Sequence, residues 1–142
     1  MDLPEISDRL EIGDLLTRYT RAIDTGDWDR LDEVFTADAE IDYTATGGIA
    51  ASYPEIKAWL AEMLPIFPVR MHTLGQVETQ LDGDAATVTA YFHNPMTLPQ
   101  PDGTDQLWEF GGLYHHRLVR TLDGWRSREL VEELLWKRGD TR

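Results

Sequence analysis

Apolar residues near the start of the chain recur at helical spacing. Ile12, Leu15, Leu16, Tyr19 and Ile23 fall three and four apart, so they share a face and predict an amphipathic helix over residues 4–24. Pro4 suits its first turn, and Thr25-Gly26 ends it, because glycine takes the left-handed conformation without strain. Asp27 stands where it can cap a second short helix over residues 28–35, with Trp28, Leu31, Val34 and Phe35 inward. The period then drops to two. Ile41, Tyr43 and Ala45 alternate with Glu40, Asp42 and Thr44, which predicts a half-buried strand over residues 39–45, broken at Thr46-Gly47-Gly48. S-Y-P-E then predicts a third helix, with Ser52 and Glu55 as a capping box and Pro54 in the first turn. Ile56, Trp59, Leu60 and Met63 form its apolar face, and Pro65 and Pro68 stop it.

Strand patterns fill the remainder. Residues 69–80 predict one long strand, and Leu81-Asp82-Gly83-Asp84 a hairpin turn. In residues 85–97, Val88, Ala90 and Phe92 alternate with Thr87, Thr89 and Tyr91. A loop rich in proline and glycine spans residues 98–105, and a further long strand spans 106–121. A turn at Leu122-Asp123-Gly124 leads to a last strand over 125–136. That segment also carries helical spacing, but the preceding Asp-Gly favours a hairpin. The tail from Lys137 to Arg142 is expected to lack regular structure. Helices first and antiparallel strands afterwards make the α+β pattern, in which a strongly curved sheet wraps its helices and leaves a cavity between them.

Composition narrows the function classes. The 142 residues fit one domain, and with no cysteine there is no thiol nucleophile, disulfide or thiolate metal site. Acidic residues outnumber basic ones by 26 to 13, for a net charge of -13, so a nucleic-acid partner is not expected. No apolar run is long enough to span a membrane, the start M-D-L-P-E-I-S-D is not a signal peptide, and the expected location is cytoplasmic. A weakly charged small molecule is the easier ligand.

Two residues stand out chemically. Asp24 lies in the last turn of the first helix, where the macrodipole disfavours an anion, so a partner elsewhere is indicated and His72 is the best candidate. A plain hydrogen bond to the following turn is the alternative. His72, read as mid-strand with Arg70 and Leu74 on its face, suits a general base if an acceptor holds its other nitrogen. Equally, a strand histidine is often structural. Tyr19 and Tyr43 could donate to an oxygen that gains negative charge, or simply be satisfied core tyrosines. His115 and His116 are adjacent and must face opposite sides of a strand, and His93 stands apart, so no metal site is expected. No phosphate loop, dinucleotide fingerprint or nucleophile elbow is present, and no cofactor is expected.

Three stretches carry a family likeness: R-Y-T-R-A-I-D-T-G-D-W-D-R-L with A-E-I-D-Y, then M-H-T-L-G, then G-G-L-Y-H-H-R-L-V-R-T-L-D-G-W-R. Together they resemble the SnoaL-like branch of the nuclear transport factor 2-like superfamily, in the group that holds scytalone dehydratase, bile acid 7α-dehydratase and the lindane dehydrochlorinase. The resemblance runs from about Glu5 to Arg138. It implies an α+β cone, a barrel-like curved mixed sheet wrapped around three N-terminal helices, with a deep apolar pocket. It places the proton-handling Asp–His pair of those dehydratases on Asp24 and His72, and two site tyrosines on Tyr43 and Tyr19. His115 stands where scytalone dehydratase has an asparagine, and Leu98 where it has a second histidine, so the chain departs from that enzyme.

The expected function is a cofactor-independent lyase of the dehydratase type, acting on a hydrophobic cyclic molecule. Trp59, Leu74, Phe92, Asn94, Met96 and His115 would shape the pocket. An isomerase or cyclase of polyketide- or steroid-like rings, and a non-catalytic binding or scaffold module, are the alternatives. Relatives in this group are often trimers or dimers, so a homo-oligomer is expected. Trp108, Phe110 and Tyr114, all of one parity, would supply the interface or else pack in the core.

Overall fold

The computed structural model describes residues 1–139. Helix α1 runs over Leu3–Thr25, capped by Asp2, whose carboxylate accepts from the Glu5 amide at 2.9 Å. Gly26 ends it at φ +73°, and its N–H bonds back into the last turn. Ile12, Leu15, Leu16, Tyr19 and Ile23 are all buried, so the predicted stripe faces the core. The second helix is a 3-10 segment, Trp28–Glu33, and Asp27 makes no side-chain cap bond. It stops early because Phe35 already belongs to strand β1, Phe35–Asp42, and Val34 O accepts from Ser127 N at 2.7 Å.

Strand β1 ends before Tyr43. The Asp42 carboxylate accepts from both the amide and the hydroxyl of Thr44, at 2.8 and 2.6 Å. That turn competes with the ladder. Thr44–Thr46 is therefore a 3-10 turn with Ala45 exposed, not the strand expected through residue 45. Strand β2, Ala50–Ser52, returns against β1 and leads into α2, Tyr53–Met63. Ser52 holds the cap position but forms no cap hydrogen bond, so the expected capping box is not made. Tyr53, Ile56 and Leu60 are buried, with Trp59 and Met63 partly so.

The sheet has seven strands among the described residues. After β2 come β3, Val69–Arg70, β4, Thr73–Asp82, β5, Ala85–Pro99, β6, Asp105–Thr121, and β7, Gly124–Arg138. The order is β2-β1-β7-β6-β5-β3, with β4 also on β5. The β1–β7 pair is parallel and the others antiparallel, so the sheet is mixed. Both Asp-Gly hairpins form where expected, pairing Asp82 with Ala85 and Thr121 with Gly124. The last segment is a strand, and it continues through Lys137 and Arg138, which were expected in an unstructured tail; residues 140–142 lie outside the described residues.

Long strands curve by bulging, and β6–β7 shifts register between Gly111 and Gly112. A Cβ on Gly112 would lie 2.0 Å from Glu133 O, so only glycine fits that bulge. The even-numbered residues of β6 face the concave side. Trp108, Phe110 and Tyr114 are 4%, 4% and 2% exposed, so they fill the core and are not available to an outer interface. Phe67, Trp108 and Phe110 pack edge to face, as do Tyr19 and Tyr114, which gives the concave wall a continuous aromatic lining.

Candidate active site

The predicted strand over residues 69–80 is interrupted, and the interruption makes the site. β3 and β4 both pair with β5, and between them the Met71 amide still donates to Pro95 O at 3.1 Å, but His72 leaves the ladder. The Asp24 carboxylate takes over the hydrogen bonding. Its Oδ2 accepts from the His72 backbone amide at 2.9 Å, and its Oδ1 lies 2.6 Å from His72 Nδ1. One side chain thus fixes both the backbone and the ring of His72. A carboxylate only accepts, so Nδ1 carries the proton and Nε2 the lone pair. Nε2 makes no hydrogen bond with the described residues, and His72 lines the cavity. The pair is nearly enclosed, with side chains 5% exposed for His72 and 12% for Asp24.

Asp24 sits at the negative end of α1 with a cation to offset it. Arg70 donates Nε–H to Ile23 O at 3.0 Å and Nη2–H to Asp24 O at 3.4 Å, while Nη1 serves Leu64 O and Phe67 O at 3.2 and 2.9 Å. The guanidinium also lies over the Trp28 ring. Arg70 therefore ties the end of α1 to the segment after α2 and sets the position of the Asp24–His72 pair. Arg70→Met leaves four carbonyl contacts unmade, so an unfolding free energy from urea titration lower by about 2–3 kcal/mol is expected. Arg70→Lys should recover only part of it, because an ammonium cannot span the fork.

The cavity beside His72 measures about 140 Å³. Trp59, Met96, Trp108 and Phe110 make much of its wall. At one side the Tyr19 and Tyr43 hydroxyls meet at 2.5 Å. Burial holds both phenols well above their ordinary titration range, so they stay protonated. The Tyr114 hydroxyl lies on the other side of Tyr19, so three phenols share two links and one O–H proton of the three is left over to point at a ligand. Asn94 donates to Met71 O at 3.2 Å and so pins the break that presents His72.

The structure thus brings His72, Tyr19, Tyr43, Trp59, Asn94 and Met96 to one cavity, with Asp24 directly behind His72. Three expected pocket residues are not in its wall. His115 is on the outer face of β6, beside Glu133 at 3.5 Å and Thr89 at 3.2 Å, because odd-numbered residues there point away from the core. Phe92 points inward but is covered by Tyr114, with ring centroids 4.3 Å apart. Leu74 packs against the core instead. His116, on the opposite face from His115 as expected, is buried and bonded to Ser127, and desolvation lowers it to about 3.

Three residues escaped the sequence reading. Arg70 was seen only as a neighbour of His72. Thr46 and Glu132 line the cavity and are joined by a 2.6 Å hydrogen bond from the Thr46 hydroxyl to Glu132 Oε1. The available signal for Glu132 was parity: it shares the inward face of β7 with Leu130, an unusual place for a carboxyl group.

An open, curved mixed sheet cupped around N-terminal helices and a side cavity is the nuclear transport factor 2-like architecture. The chain belongs to the SnoaL-like domain family, whose model matches residues 4–131. The uncharacterized protein Rv2910c of Mycobacterium tuberculosis is 48% identical over 133 residues, which cover 93% of this chain and 88% of that one. Among solved structures, Kfla4162 of Kribbella flavida superposes with a TM-score of 0.86 at 28% identity, over 94% of this chain and 95% of that one. A putative aromatic ring hydroxylase of Novosphingobium aromaticivorans gives 0.84 at 27%, over 95% and 94%. A putative scytalone dehydratase of the same species gives 0.86 at 15%, over 97% and 91%, a likeness of fold alone. No described helix is long and apolar enough to cross a membrane.

Proposed function

We propose that the protein is a cofactor-independent lyase of the dehydratase type, in which His72 removes a proton from carbon next to a carbonyl of a hydrophobic ring. The observation that carries this reading is the orientation of one imidazole. Asp24 holds Nδ1–H, and Nε2 is left with its lone pair on the cavity side. A histidine serving only the fold has no need of a buried carboxylate behind it and a cavity in front, which weighs against a purely binding or scaffold role.

Nε2 takes the proton, and the C–H electron pair forms a carbon–carbon double bond as the bond to a β-hydroxyl breaks. The hydroxyl departs with the proton returned by the imidazolium, as water. Negative charge that builds on the carbonyl oxygen is met by the spare O–H of the Tyr43–Tyr19–Tyr114 set, and Asp24 stabilises the imidazolium. Removal of one such hydroxyl, as Tyr43→Phe, should lower kcat by about 10²-fold.

An isomerase would use the same base and return the proton to another carbon. The reading is tested with 4-hydroxy-2-tetralone, a β-hydroxy ketone whose dehydration gives 2-naphthol. Mass spectrometry should show a product lighter by one water. Consumption to a product of unchanged mass points to isomerisation, and no consumption of this or related β-hydroxy ketones contradicts the reading. One structural neighbour is named a putative aromatic ring hydroxylase, and a fold by itself does not fix a reaction.

A further inference from the structure

The reaction outlined above has no use for Glu132, yet its carboxyl group is among the most deeply placed acids in the protein. It is 9% exposed, sits opposite Tyr114 in the β6–β7 ladder, and lines the cavity that also holds His72. Oε1 accepts from the Thr46 hydroxyl at 2.6 Å, and Oε2 is hydrogen-bonded to none of the described residues. The groups around it are phenols and acids: Tyr19 from α1, Asp42 and Tyr43 from the end of β1, and Tyr114 from β6, with His116 next along the same face. No lysine or arginine is in the cavity wall, and His72 is the cavity's basic side chain. A carboxylate in such a place would be desolvated and repelled by Asp42, with no lysine or arginine in the cavity wall to offset its charge.

We propose that the Glu132 carboxyl is a recognition group, donating a hydrogen bond from Oε2 to an uncharged oxygen, a ketone or hydroxyl, on an apolar ring bound in the cavity. This rests on the same cavity as the proton-abstraction reading and names the class of molecule it takes. Burial supports the donor form, raising the acid to about 7, with Asp42 adding to the rise and the Thr46 hydrogen bond opposing it. The aromatic wall receives the ring, and the carboxylic acid marks one oxygen. An anionic ligand is disfavoured by the Asp24 carboxylate and by Glu132 whenever it ionises.

The test uses 2-tetralone, a neutral ring ketone at every pH employed, and reads binding from quenching of the fluorescence of Trp59 and Trp108. With the wild-type protein, affinity should fall about 30-fold between about pH 6 and about pH 8.5, as the donor proton is lost. Glu132→Gln keeps a donor at all pH, so its affinity should match that of the wild type at the lower pH and stay level. Thr46→Val removes the hydroxyl that favours the carboxylate, so it should move the midpoint of the wild-type fall upward. A fall that persists in Glu132→Gln, level affinity in the wild type, or no binding at either pH would overturn the proposal. So would tighter binding of 2-naphthylmethylamine as the pH rises, since that would make Glu132 a cation site. None of these readings needs turnover. Failure here therefore leaves the His72 chemistry standing, and failure of the His72 variants to lose turnover leaves this binding result standing.

Discussion

On the proposed mechanism, His72→Ala should lower the turnover of 4-hydroxy-2-tetralone by about 10²–10⁴-fold, the range for a positioned general base. Asp24→Asn is the sharper experiment because it keeps size and shape. An asparagine that turns its carbonyl to the His72 amide offers its NH₂ to the ring, so Nδ1 must accept and the proton moves to Nε2. The lone pair then faces the wrong way, and a loss of about 10³-fold is expected although the ring has not moved. The double variant should be no slower than His72→Ala alone, because the two residues act as one unit. Asp24→Asn also weakens the bond to the His72 amide, so a drop in stability of about 1 kcal/mol accompanies the kinetic effect. Near-normal turnover in both single variants, with folding verified by circular dichroism, contradicts the role assigned to the pair.

Glu132→Gln should stabilise the protein at alkaline pH, through linkage. Burial raises the Glu132 carboxyl from 4.5 to about 7, so the folded state holds this proton more tightly than the unfolded chain. Its contribution is fully present below about pH 4.5 and is lost as pH rises through about 7. At about pH 8.5 the wild type has therefore given up about 3 kcal/mol that a glutamine never had at stake. Urea unfolding at about pH 5 and about pH 8.5 should show the variant close to the wild type at the first and clearly more stable at the second. An equal gap at both would mean that Glu132 is ionised throughout. The comparison is made on stability alone and is independent of any ligand.

What could be read from the residues was mostly local. The stripe from Ile12 to Ile23, the stop at Gly26 and the two Asp-Gly hairpins depend on spacing and on turn chemistry that neighbouring residues decide. The Asp24–His72 pairing was anticipated because a carboxylate opposing a helix dipole calls for a partner. The form of that pairing was not. Met71 and His72 alternate well enough to continue a strand, and the Met71 amide still donates to Pro95 O of β5, but Asp24, 48 residues away, takes the His72 amide and breaks the ladder there. Ala45 failed as a strand residue for a nearer reason, since the Asp42 carboxylate captured Thr44 and turned the chain.

The pocket residues divide along the same line. Trp59, Asn94 and Met96 reach the cavity, while Phe92 shares the parity of Asn94 and is shielded by Tyr114 stacked over it. Parity assigns a side of the sheet, not a depth under neighbouring side chains. His115 was carried to the site by alignment against its parity, and parity prevailed. Glu132 was hidden in the run R-E-L-V-E-E-L-L-W, where three glutamates at near-regular spacing look like the solvated face of a helix. Only the strand assignment, with Leu130 and Glu132 both inward, separates it from its exposed neighbour Glu133.

The central claim is that the cavity imidazole takes a proton from carbon, and that half-reaction can be observed without any leaving group. 2-Tetralone in D₂O exchanges the hydrogens at C1, which lies between the ketone and the aromatic ring, and proton NMR follows their disappearance. The wild-type protein should accelerate this exchange well above the rate in buffer, with His72→Ala reduced to the buffer rate. Exchange that is equally fast with His72→Ala, or no faster with the wild type than in buffer alone, would contradict it.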